Sequence, residues 1–96
     1  MLRHPVDGTR LNILERLKDP AACFPPPRGP VDPVAHGVDA DAVAAGLGVP
    51  RRVAETHLAL LAALGLLRTS QVRRRTYYRR DEVRIAEVAR MFEKGW

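Results

Sequence analysis

The sequence predicts a small, mainly α domain that carries one β-hairpin. Three observations predict it. The 96 residues fall below the usual size of one domain and leave no room for a second core. Apolar residues recur at helical spacing in four separate stretches. A single pair of strand-favouring stretches, separated by a charged turn, follows the third of them. An apolar fraction of 46% is that of a folded protein, and residues 1–96 read as one unit.

The first six residues show no period. Asp7 is placed to cap a helix over Gly8–Lys18, with Leu11, Leu14 and Leu17 on one face and Ile13 beside them. Asp19-Pro20 stops it, because the residue before proline avoids helical dihedrals. Residues 19–33 then contain six prolines, and no regular hydrogen-bonded structure is expected there. The whole of 19–38 reads as a proline-rich loop, a stiff connector or else a docking ligand. Asp39 or Asp41 caps a short helix ending near Leu47. Gly48-Val49 breaks it, and Pro50 opens the next helix, to about Leu64, with Ala54, Leu58, Leu61 and Leu64 as its buried stripe. Gly65 closes that helix where a left-handed residue is needed. Leu66–Ser70 and Arg75–Arg80 read as two strands around a charged tip, Gln71-Val72-Arg73-Arg74. From Asp81 the helical period returns, with Ile85, Val88, Ala89, Phe92 and Trp96 in one apolar stripe.

Several classes are excluded on composition. Cys23 is the only cysteine, so neither an intrachain disulfide nor a four-cysteine zinc site can form, and a reducing, cytoplasmic setting is expected. No apolar leader begins the chain, so secretion is not expected. The longest apolar run, Leu58–Leu67, is too short to span a bilayer. Charge is unevenly spread. Residues 1–50 carry five basic and six acidic side chains, and residues 51–96 carry eleven basic and five acidic. Ten of those eleven are arginine, whose planar fork pairs with phosphate and guanine in a way lysine cannot copy. Such a half-chain points to an anionic polymer, most often nucleic acid, and with the arrangement described next the expected partner is double-stranded DNA; a solvated basic face is the plainer alternative.

Two helices joined by a glycine-containing turn, followed at once by a basic hairpin, make a winged helix-turn-helix arrangement. The stretch from Asp41 to Leu67, with His57, Leu58, Leu61, Gly65 and Leu66 in a His-Leu-x-x-Leu-x-x-x-Gly-Leu pattern, resembles the ArsR/SmtB family of winged-helix repressors. Asp7–Leu14 and the pair Tyr77-Tyr78 match as well. The chain departs from the family's pattern in lacking a helix before Asp7, in having Pro50 at a position usually held by serine, in a wing tip without glycine, and in the proline loop. The resemblance implies a homodimeric, sequence-specific transcriptional repressor on an inverted-repeat operator. Its recognition helix would be Pro50–Leu64 and its dimerisation helix 81–96.

In that reading Arg51, Arg52, Glu55 and Thr56 face the major groove, since residues at the start of a recognition helix reach base edges. Two arginines there oppose the helix dipole, a cost without structural benefit. Arg73, Arg74 and Arg75 on the wing meet the DNA backbone or minor groove. Ile85, Val88, Ala89, Phe92 and Trp96 form the dimer interface. His57 reads as a packed histidine rather than a ligand. The family's thiolate metal site would fall on Asp39 and Asp41. Its other site would fall on Asp81, Val83 and Lys94, so neither has its ligand set, and no metal or cofactor is expected. Cys23 reads as a plain loop cysteine. No convergent acid, base or nucleophile appears, so an enzyme is not expected. The remaining alternative is an interaction adaptor that docks partners on the winged-helix scaffold and the proline loop without binding DNA.

Overall fold

The computed structural model describes residues 8–26, 31–33 and 35–91. The cap assigned to Asp7 and the stripe positions Phe92 and Trp96 lie outside them. Helix α1 (Gly8–Arg16) buries Ile13 and Leu14 completely. Its C-terminus tightens through bonds from Lys18 N to Glu15 O and from Asp19 N to Arg16 O, so it ends short of Lys18.

The proline-rich segment is more ordered than its composition suggests, and a short helix α2 (Pro20–Cys23) forms inside it. Pro20 occupies the first helical turn, where a missing N–H costs nothing. The Asp19 carbonyl accepts from Ala22 N and Cys23 N, and Phe24 N donates to Pro20 O. Phe24 is extended (φ −130°, ψ 153°), as a residue before proline should be. Its ring is 5% exposed and lies so close to Gly46 that a Cβ there would come within 2.9 Å of Phe24 Cδ1. The loop is thus pinned to the domain by one aromatic side chain.

A second departure is strand β1 (Val38–Asp39), two residues long and too short to leave a period in the sequence. It pairs antiparallel with β3 (Arg75–Arg80), which also pairs with β2 (Leu67–Val72), giving a three-stranded sheet in the order β1-β3-β2. Val38 faces Tyr78 and Asp39 faces Tyr77. Gly37, at φ +95°, permits this close approach, since a Cβ there would overlap the Tyr78 carbonyl oxygen. The hairpin tip is also tighter than expected. The ladder runs out to Val72 opposite Arg75, leaving a turn of Arg73 and Arg74 alone.

Asp39 begins helix α3 (Ala40–Leu47), its Oδ1 accepting from Ala42 N at 3.0 Å. Helix α4 (Arg51–Ala63) follows after the turn Gly48–Pro50. Pro50 stands just before that helix rather than inside it, and its carbonyl accepts from Val53 N and Ala54 N. Gly65 (φ +80°) ends the helix with two paired bonds, Leu66 N to Leu61 O and Gly65 N to Ala62 O, both 3.0 Å. Helix α5 (Glu82–Met91) starts at Asp81, whose Oδ1 accepts from Arg84 N and whose own N–H donates to Leu66 O.

The core gathers residues from every element except α2. Ile13, Leu14, Val43, Leu58, Leu61 and Leu66 are fully buried, and each large aliphatic contributes about 1.5–3 kcal/mol. Ile85, Val88 and Ala89 are 3%, 7% and 9% exposed within the single chain. The core therefore takes the described part of the α5 stripe that the sequence assigned to a second copy, and these three side chains leave little surface for one. The large apolar side chains that α5 does expose are Val83 and Met91, at 72% and 68%.

Candidate nucleic-acid interface

The start of α4 and the tip of the wing lie side by side. Arg51 and Glu55 of α4, Asp39 and Ala40, and Arg74, Arg75, Thr76 and Tyr78 of the wing line one shallow hollow of about 130 Å³. Helix geometry accounts for the first group, because Arg51 and Glu55 stand one turn apart on the same face. The hairpin accounts for the second. Arg73 and Arg74 take φ +50° and +69°, the turn whose backbone twist matches that of the strands. Such a turn favours asparagine or glycine, and a left-handed arginine costs about 1–2 kcal/mol.

Two of the five candidate arginines are engaged within the chain. Arg51 Nε lies 3.1 Å from Glu55 Oε1 and 3.5 Å from Asp41 Oδ1. Arg75 Nη1 donates to Asp39 Oδ2 at 2.9 Å and to Asp41 Oδ2 at 3.1 Å. These bonds, Asp41's first, raise the Arg75 pKa above its ordinary value. Arg52, Arg73 and Arg74 are exposed and make no ion pair or side-chain hydrogen bond among the described residues. Thr56 is exposed too, its hydroxyl donating to Arg52 O at 2.9 Å while its oxygen can still accept. Burial, with a smaller contribution from the Glu55 charge, raises the Tyr78 pKa.

Asp39 and Asp41 hold Arg75 at this site, a role not suggested by the sequence, which offered them as a helix cap and as counterparts of the family's thiolate ligands. They stand 36 and 34 residues from Arg75, and no local pattern links positions so far apart. His57 is partly buried on α4, its Nδ1 without a hydrogen-bond partner among the described residues.

The base of the wing is held by a different arginine. Arg80 is 9% exposed. Its Nη1 donates to Leu14 O at 2.8 Å, and its Nε and Nη2 form a two-pronged pair with Glu82 at 2.6 and 2.9 Å. The hydrogen bond from Arg80 is the main reason that the Glu82 pKa lies below its ordinary value.

Among the described residues no group of three or more His, Cys, Asp or Glu side chains is placed to hold a metal ion, and no helix is long and apolar enough to cross a membrane. No family model and no solved structure matches the chain. Among curated proteins it is 33% identical, over 81 residues, to YbzH of Bacillus subtilis (strain 168), an uncharacterised HTH-type transcriptional regulator. The match covers 84% of this chain and 80% of that protein. With a helix-rich domain, a short turn between α3 and α4 and a small antiparallel wing behind them, the chain belongs to the HTH-type transcriptional regulators.

Proposed function

We propose that the protein is a sequence-specific, duplex-DNA-binding repressor of the ArsR/SmtB type, acting as a homodimer and without a catalytic reaction. The observation that carries this reading is the shared hollow between the start of α4 and the wing tip. Arg51 and Arg74 line it, and Arg52 and Arg73, exposed and without an ion pair among the described residues, stand next to them in the chain. An Arg-Arg pair in left-handed backbone is a local cost, and residues held in such conformations concentrate at binding sites. The positions where the resemblance would put thiolate metal ligands are Asp39 and Asp41, and their carboxylates already hold Arg75. A thiophilic metal does not fit there, and the reading includes no metal effector.

Selection of bound sequences from random duplex DNA tests the proposal. The selected sites should contain an inverted repeat with half-sites about ten base pairs apart or a multiple of that spacing. Affinity should fall steeply with salt. Arg52→Ala should relax base preference by about 1–3 kcal/mol. Arg74→Ala should weaken all sequences alike and lower the salt slope by about one. Equal affinity for selected and scrambled duplexes would sink the reading.

In the dimer a second copy covers the end of the apolar stripe, Phe92 and Trp96 in the sequence, beyond the part that the core takes. Sedimentation at micromolar concentration should show a dimer for the parent and a monomer for Phe92→Asp. A Phe92→Asp protein that is still a dimer moves the interface elsewhere.

A further inference from the structure

The hairpin, residues 67–80, holds six arginines and no acidic side chain. Two of the six are matched from outside it, Arg75 by Asp39 and Asp41 and Arg80 by Glu82. Arg73 and Arg74 form the tip. The remaining two, Arg68 and Arg79, are direct cross-strand partners of β2 and β3. Their side chains leave the same face of the sheet, with Cβ atoms about 4.5–5.5 Å apart. Neither makes an ion pair or side-chain hydrogen bond among the described residues. Like charges directly opposite each other weaken a strand pair. Arg79 adds a second cost. It is half-buried, and its Nε is shut off from solvent with no acceptor among the described residues.

The groups that could answer this charge are absent or taken. On the other side of β3 the register continues to Gly37, which has no side chain and stands so close that a Cβ there would lie 2.8 Å from Arg79 N. Along the chain, Asp81 caps α5 by accepting from Arg84 N, and Glu82 is held by Arg80. A hollow of about 240 Å³ borders Arg79 and Gly37. Lys18, which also lines it, pairs with Glu15. Asp19 lines it too, but is exposed, so water screens its repulsion of an anion.

We propose that Arg68 and Arg79 form a phosphate-binding clamp on the body of the wing. A phosphate group has anionic oxygens enough to accept from both guanidinium groups at once, and its charge turns their repulsion into attraction. The group comes either from the DNA backbone or from a free phosphate, with the same chemistry at the clamp. As a backbone contact the inference rests on the DNA-binding reading above; as a free-phosphate site it stands without it. The strand from Arg68 to Arg73 covers about 17 Å, so the clamp and the tip engage different phosphates.

Thermal melting without DNA is the first arm of the test, with inorganic phosphate compared against sodium chloride at matched ionic strength. Before any phosphate is added, Arg68→Gln should melt about 2–4 °C above the parent, because the repulsion is gone from an exposed position. With free phosphate as the ligand, phosphate raises the parent's Tm more than chloride does and closes that gap. Arg68→Gln and Arg79→Gln then respond to the two salts alike. The second arm measures fluorescence anisotropy of a duplex selected by the parent from random DNA, at several salt concentrations. With the backbone as the source, each variant lowers the slope of log affinity against log salt by about one and leaves base preference unchanged. Phosphate-specific stabilisation identifies the free ligand, and loss of slope identifies the backbone. Variants that respond to phosphate as the parent does and also keep its salt slope overturn the inference. A parent that binds no duplex removes the DNA-binding reading, and melting in phosphate then decides the clamp alone.

Discussion

The α3–α4 pair and the wing are held in place by different kinds of chemistry. Every end of α3 and α4 is settled by a neighbour in sequence. Asp39 caps the first helix three residues ahead, Pro50 precedes the second, and Gly65 closes it. The wing has the opposite character. Its tip uses residues poorly suited to the turn they make, and arginines that reach far along the chain hold its body. Arg75 reaches Asp39 and Asp41, and Arg80 reaches the Leu14 carbonyl, 66 residues away. A rigid reading helix thus stands beside a hairpin whose own local preference is weak and whose position is set by charge.

The sharpest way to break the contrast is to give the wing the local chemistry it lacks. Replacing Arg73 by Asn and Arg74 by Gly installs the residues that favour a two-residue turn of this hand. Relief of the left-handed strain should stabilise the fold by about 1–2 kcal/mol in urea unfolding. The same change should weaken binding to every duplex and lower the salt slope by up to about two. A stabilised protein with unchanged DNA affinity would show that the tip arginines serve no ligand.

The contrast also explains what the sequence made legible. The helices of the α3–α4 pair were readable because period, cap and stop signals lie within a few residues of one another. Leu58 and Leu61 belong to the core as that period implied. The two strands of the wing were readable from their strand-favouring residues, and the turn between them was placed within two residues. Strand β1 was not, since two residues carry no alternation and its pairing depends on Gly37 meeting Tyr78. Helix α2 was hidden because proline density is read as irregularity, although Pro20 stands at the position in a helix that tolerates it. The candidate site was half legible. Arg51, Arg52 and Arg74 follow from the order of elements. The pairing of Arg75 with Asp39 and Asp41 is a long-range contact with no signature in either segment. The α5 stripe was correctly seen as apolar, but periodicity cannot say whether such a face meets its own core or a second copy.

The smallest expected effect lies at the base of the wing and concerns pH. Arg80 pulls the Glu82 pKa below its ordinary value of 4.5. A carboxylate whose pKa is lower folded than unfolded stabilises the protein at every pH above the unfolded value. That contribution is lost as pH falls through the unfolded value and then the folded one. Glu82 keeps 68% of its side chain exposed, so screening by water limits the effect to about 1 kcal/mol or less at neutral pH. Glu82→Gln should therefore be slightly less stable than the parent near pH 7, and the difference should shrink as pH is lowered past about 4. Added salt should shrink it further at neutral pH. Arg80 keeps its bond to the Leu14 carbonyl in the variant, so the wing should stay in register and its amides should remain protected from exchange. Urea unfolding of both proteins at several pH values reads the difference directly. A gap that stays constant from pH 7 to acid would mean that Glu82 supports Arg80 through hydrogen bonding alone, and the base of the wing would then be held by geometry as the α3–α4 pair is, with charge confined to its tip.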